Sequence, residues 1–243
     1  MRSIYFKELN AFFSSIVGYV VLIMFLVFSG LLLWVFTDTS ILEYGYASLE
    51  KFFSIAPWLL LFLIPAVTMR SFSDEFKGGT IEWLSTKPLT DGQIIRGKFF
   101  ASFTLVAIAL LPTVIYLFSI NWLAMDDSAL DFGAIAGSYI GLFFLVAAFT
   151  SVGVFCSSLS DNQIVSFLGA VFLCYILYYG FEALSRIAAF AGGADYYLAM
   201  IGADYHYNSM SQGVIDTRDV VYFISVIVLF TGLTKFVLQR RRA

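Results

Sequence analysis

Apolar residues run through this chain in six long stretches separated by short polar segments. The stretches cover about 16–36, 52–69, 99–120, 135–155, 164–184 and 220–238. Each approaches the roughly 20 apolar residues that cross a bilayer as one helix, so the pattern predicts six transmembrane spans. Pro57 falls near the start of the second span, where a missing N–H costs little. Pro65 and Pro112 fall inside spans and are expected to kink them.

A different period precedes the first span. Tyr5, Leu9, Phe12, Phe13 and Ile16 recur at i, i+4, i+7, i+8 and i+11, with Lys7, Glu8 and Asn10 off that stripe. This predicts an amphipathic helix lying in the membrane interface; the alternative is a frayed start to the first span. Arg2 and Lys7 resemble the basic region of a signal peptide, but the run behind them is span-length and no small-residue cleavage pattern ends it. A retained helix is expected. Before the sixth span, residues 186–217 are too long for an ordinary loop. Their short apolar runs, Gly192, Gly193, Gly202 and the aromatics Tyr196, Tyr197, Tyr205 and Tyr207 predict short helices at the outer interface.

Composition agrees. Of 243 residues, 60% are hydrophobic and only 13% charged, about half the charge of a soluble domain. The fold class is therefore an all-α integral membrane protein, read as one transmembrane domain over 1–243. All of the 14 basic residues except Lys51, Arg186 and Arg218 fall on the side that holds both termini. The positive-inside rule then places both termini in the cytoplasm. Cys156 and Cys174 lie in apolar runs and read as small buried hydrophobes. With His206 the sole histidine, no His-based metal cluster and no catalytic constellation is legible. Residues 92–98 fit G-x-x-x-x-G-K, but Phe99 replaces the hydroxyl residue and no strand precedes them. The structural reading is a capping box at Thr90-Asp91-Gly92-Gln93, a third helix about 45 Å long at 1.5 Å per residue, and Arg96 and Lys98 snorkelling at the interface.

The stretch SFSDEFKGGTIEWLSTKPLT, residues 71–90, places Asp74, Glu75, Lys77, Glu82 and Lys87 between two spans. Gly79 breaks the preceding helix and Pro88 closes a short helix over 80–86, on which Ile81 and Leu84 share one face. Two turns are not stable alone in water. That face folds onto its own bundle or fits a partner's groove.

This segment resembles the coupling region of type 2 ABC exporter permeases, which place a Glu, a Gly-Thr, an acidic residue and a basic residue before Pro between helices two and three. Here these are Glu75, Gly79-Thr80, Glu82 and Lys87-Pro88. "APWLLLFLIPAVTMRSFSDE", "DFGAIAGSYIGLFFL", "SLSDNQIVSF" and "DYHYNSMSQGVIDTRDVVYF" are similar to the gliding-motility-associated ABC transporter permease subunit of the GldF type. Phe76 and Gly78 depart from it, where charged residues are usual. The resemblance implies an elbow helix, six spans, a coupling helix after span two and re-entrant helices before span six. It implies an ABC ATPase partner at Glu75, Gly79, Thr80, Ile81, Glu82, Leu84, Lys87 and Pro88, with ATP on that partner and no cofactor on this chain. It also implies a bacterial inner-membrane location and a second permease half, identical or related. An accessory membrane protein with a large outer domain is a further expected partner, and no nucleic acid is.

The expected contact with the second half is a small-residue stripe on span five, Ser166, Gly169, Ala170 and Cys174, continued by Tyr178. Gly133, Gly137 and Gly141 form a similar stripe, read as internal packing, with a contact between permeases as the alternative. Asp216-Thr217-Arg218-Asp219 reads as a helix cap. Glu182 is an acid inside an apolar run, either functional or bonded to backbone or Arg186. The rival function, an ATP-independent secondary transporter or channel, needs midplane ionisable residues or inverted repeats, and neither is visible.

Overall fold

The computed structural model describes residues 1–37, 40–41, 48–81, 89–123, 131–187 and 193–242. The described elements are helical. In chain order they are α1 (Arg2–Phe13), α2 (Ile16–Trp34), α3 (Glu50–Thr68), α4 (Arg70–Lys77), α5 (Asp91–Leu110), α6 (Val114–Leu123), α7 (Phe132–Leu159), α8 (Gln163–Tyr175), α9 (Phe181–Ser185), α10 (Ala194–Ile201), α11 (Ala203–Ser211) and α12 (Thr217–Arg242). Among the described residues six helical stretches are long and apolar enough to cross a membrane: Ile16–Trp34, Glu50–Lys77, Asp91–Leu123, Phe132–Leu159, Gln163–Ser185 and Thr217–Arg241. The expected spans are all there. Several are longer than their apolar cores, because polar first and last turns continue the same helix.

Span four, α7, is the pillar. Its apolar window is 78% buried, against 22% for span one and 17% for span six. Spans two, three, five and six and helix α11 all pack on it. In lipid no hydrophobic drive holds helices together, so close approach of small residues does. A Cβ on Gly137 would lie 2.8 Å from Gly213, and one on Gly141 2.6 Å from Met210. The internal alternative for that stripe is the one realised. Gly133 instead faces its own Asp131, whose carboxylate caps α7 by accepting from the Ala134 N–H at 3.0 Å.

The prolines act as backbone chemistry demands. Pro112 sits in a 3₁₀ turn, Leu111–Thr113, that joins α5 to α6. Pro57 and Pro65 lie within α3, which is interrupted at Met69, one turn after Pro65. Contrary to expectation Pro57 does not sit in the first turn of its helix, where a missing N–H costs little, but inside α3, and it has no N–H to offer the Phe53 carbonyl. The buried Tyr207 hydroxyl donates to that carbonyl instead, at 2.8 Å, and so pins α11 to span two. Span five carries a π turn, Ile176–Gly180, with Tyr178 buried at its centre; such a widened turn has no sequence signature used above.

Candidate functional site

At the end of the bundle that holds both chain termini, α1, α4 and the start of α5 meet. Gly97 makes the approach possible: a Cβ there would lie 3.0 Å from the Ile4 side chain. Ile4, Phe72, Ile94, Ile95, Val154 and Leu238 form a small apolar cluster beneath the contact, with Phe76, Ile81 and Leu89 against its edge. The capping box over Thr90 and Gln93 starts α5 as expected.

Lys98 is the surprise. Arg96 is exposed, as a snorkelling side chain must be, but Lys98 is 1% exposed. Its ammonium has three protons to donate and finds three acceptors. It donates to Glu8 Oε1 at 2.8 Å, to the Ser71 carbonyl, and lies 3.1 Å from Glu75 Oε1. Lys7 donates to the same Glu75 oxygen at 2.9 Å. Burial lowers the Lys7 pKa, but the hydrogen bond and charge of Glu75, with Glu8 behind it, outweigh burial and leave it raised. Glu8 was expected off the apolar stripe; it faces inward because Ile4, Glu8 and Phe12 share one side at spacings of four. That spacing was the available signal. What it lacked was a visible cation, which comes from a helix 90 residues along the chain.

Of the residues expected to couple to an ATPase, Glu75 is therefore buried, at 7% exposed, and acts as a hub between α1, α4 and α5. Gly79 breaks the helix as expected, with φ of +64°. The Thr80 hydroxyl reaches back to the Glu75 carbonyl at 3.4 Å, and Thr80 and Ile81 are again helical. Ile81 lies on the apolar cluster of its own bundle. Glu82, Leu84, Lys87 and Pro88 lie outside the described residues. The rest of α4 is fixed to the turn between spans four and five. Asp74 accepts from Gln163, Ser73 and Ser166 hydroxyls meet at 2.7 Å, and Arg241 pairs with Asp161 at 2.5 Å while its guanidinium lies 4.2 Å from the Phe76 ring centre. The geometry suits transmission of force: a turn at Gly79 hangs from a helix bonded to four other elements.

The span-five stripe lies elsewhere than expected. Ser166, Ala170 and Cys174 are 2%, 0% and 0% exposed within this chain, and a Cβ on Gly169 would face the Cys156 sulfur. These small residues let span five close on spans two and four, as the small-residue rule allows. The outward face of span five carries Val165, Leu168 and Phe172, all more than half exposed.

At the opposite end of the bundle His206 and Asp219 form a pair that the sequence does not announce. His206 Nδ1 lies 2.7 Å from Asp219 Oδ1, and Nε2 lies 2.9 Å from the Met200 carbonyl. The ring stacks on Tyr222 at 4.0 Å. Asp216 does cap α12, accepting from the Arg218 N–H at 3.0 Å, but Asp219 belongs to His206. Glu182 pairs with Arg186, one of its two expected partners. The expected helices before span six are α10 and α11; residues 188–192, part of an expected apolar run, lie outside the described residues. No group of His, Cys, Asp and Glu suited to a metal ion occurs among the described residues.

A family model described as ABC-2 family transporter protein matches residues 5–241. No curated protein matches the chain. With nearly its whole length matched, this chain belongs to the ABC-2 transporter family, as a membrane-spanning permease.

Proposed function

We propose that this ABC-2 family permease couples ATP hydrolysis on a separate ATPase subunit to export, or to conformational work at the outer face, in a gliding-motility system. One observation carries the coupling reading. The segment after Gly79 emerges from α4, and α4 is tied by Glu75 to Lys7 and Lys98 and by Ser73 to span five. A load applied to that segment reaches spans two, three and five and helix α1 together. The end that holds both termini is then cytoplasmic, in keeping with its basic residues, and α10 and α11 face outward. ATP stays on the partner. A second permease half completes the assembly, and its contact with span five uses the outward face of Val165, Leu168 and Phe172, since the small-residue stripe is occupied within the chain.

Glu82→Lys and Leu84→Asp test the coupling. An unpaired charge forced into a protein groove costs several kcal/mol, so both variants should fold yet lose the ATPase on co-purification. Wild-type association and wild-type ATPase stimulation in both would remove the segment as the docking site.

A further inference from the structure

Beneath the end of α1 lies a cavity of about 320 Å³, between the first turns of span one and the last turns of span two. Its polar wall includes Lys7, Glu8, Arg70 and Glu75. Two of these are not fully met. Arg70 makes no ion pair among the described residues: its Nη1 reaches the Ser15 hydroxyl at 3.4 Å, and its Nε is buried without a partner. Glu75 Oε1 takes both lysines, while Oε2 is buried without a partner. A buried donor and a buried acceptor on charged groups are each costly to leave unmet.

The cavity does not end there. Val21 and Ala66 line it and also line a second space, a groove of about 480 Å³ between spans one and two. That groove is apolar, walled by Met24, Phe28, Leu59, Phe62 and Phe167. Adjoining at that shared wall, the two form a space whose polarity changes from one part to the other. An orphaned guanidinium N–H and carboxylate oxygen stand at the level where span two leaves its apolar window, and hydrocarbon walls follow toward the bilayer centre. We infer that this space binds one glycerophospholipid: its phosphate on Arg70, a hydrogen-bond donor of its headgroup on Glu75 Oε2, and an acyl chain along the groove. Ethanolamine and glycerol headgroups carry such a donor; a choline headgroup does not. Arginine suits the phosphate because its planar fork offers several N–H groups at once.

Native mass spectrometry of the full chain, delipidated in detergent and titrated with dioleoyl phosphatidylethanolamine, phosphatidylglycerol or phosphatidylcholine, tests this. The first two should give a one-lipid adduct about tenfold more readily than the third, the size expected for one hydrogen bond to a charged group. Arg70→Gln should lower their adducts about tenfold, and Ala66→Phe, which blocks the throat between cavity and groove, should do the same. If Arg70→Gln does not fold, Arg70→Lys, which keeps the charge without the Nε–H, takes its place. Unchanged adducts in Arg70→Gln (or Arg70→Lys in its place) and Ala66→Phe, or equal binding of all three lipids, would overturn the assignment. Binding of inorganic phosphate without any lipid adduct would mark a free-ion site only. Disulfide formation between copies through Met24→Cys or Phe62→Cys in native membranes would show instead that a second permease closes the groove.

Discussion

The two ends of the bundle solve one problem with different chemistry. At each end short helices that do not cross the bilayer must be fixed to helices that do, and at each end a buried polar contact does it. At the terminus end α1 is held by Lys98 among Glu8, Glu75 and the Ser71 carbonyl, with Lys7 sharing Glu75. At the opposite end α11 is held by His206 between Asp219 and the Met200 carbonyl, and by Tyr207 on Phe53. The first is a shared network: two amines and two carboxylates, with one Glu75 oxygen taking both lysines. The second is a chain with single links. The Met200 carbonyl can only accept, so Nε2 carries a proton. The Nδ1 contact then needs one more, on the ring or on Asp219. The pair is net neutral either way, and no member has a substitute. The end expected to bear a load is cross-braced by charges; the other is held by separate contacts, each made by one pair of groups.

The largest effect should come from Lys98→Met. Removing the buried cation leaves Glu8 and Glu75 with only Lys7, whose side chain is 57% exposed, between them, a loss of about 3–5 kcal/mol. A thermal midpoint in detergent well below wild type is expected. Adding Glu8→Gln and Glu75→Gln to it should restore part of the loss, because neutral groups no longer need the cation. A Lys98→Met protein that melts like wild type would show that the cross-brace holds nothing.

Asp219→Ala should cost less, about 1–3 kcal/mol, the usual penalty for stranding one buried partner. Its effect should also stay local: amides of α10 and α11 should exchange faster while those of α1 keep wild-type rates, since distant sites act independently. Asp219→Asn should behave almost as wild type, because its amide can donate to Nδ1 while Nε2 keeps its proton for Met200. Equal loosening of α1 in Asp219→Ala would erase the contrast between the ends.

Much of this layout was legible in the sequence, and the misses have a common cause. Six spans, α1, the capping box at Thr90 and the break at Gly79 follow from period and local backbone chemistry, which neighbouring residues supply. Lys98 did not follow. A lysine in the first turns of a span normally snorkels, and only Glu8, far away in the chain, says otherwise. Nor did the orientation of Ser166, Ala170 and Cys174: spacing shows that one face of span five is small, but the choice between span four and another subunit is made by packing. His206 and Asp219 lie 13 residues apart, on either side of a Gly213 turn with φ of +85°, so no helical spacing joins them. Tyr207 was read as an interfacial aromatic; its task is set by Pro57.

That last link can be sharpened by a double-mutant cycle. Tyr207→Phe strands the Phe53 carbonyl and should cost about 1–3 kcal/mol. Pro57→Ala restores an N–H that can bond this carbonyl within α3. In the Pro57→Ala background Tyr207→Phe should therefore cost distinctly less than alone. Additive costs would mean that the hydroxyl holds α11 for some reason other than the proline.

The smallest effect separates the ends by pH. Burial, with the charge of Glu182 next, raises the Asp204 pKa above 3.8 in the folded chain, although Asn208 donates to it at 2.9 Å. The folded state therefore takes up this proton more readily than the unfolded one. The slope of stability with pH is negative between the two pKa values, so the α10–α11 end should tighten as pH falls from neutral toward 4. At the terminus end the raised pKa belongs to Lys7. Its contribution is complete below 10.5 and is lost as pH rises through its higher folded value, so α1 should loosen only in alkali. Both groups are partly exposed and each effect is small after solvent screening. Limited proteolysis of α1 and of α10–α11 across both ranges separates them. Asp204→Asn should abolish the acid tightening and leave the alkaline loosening of α1 as it was. If instead both ends loosen together at either extreme, the bundle opens as one unit, and the difference drawn between its ends does not describe how it moves.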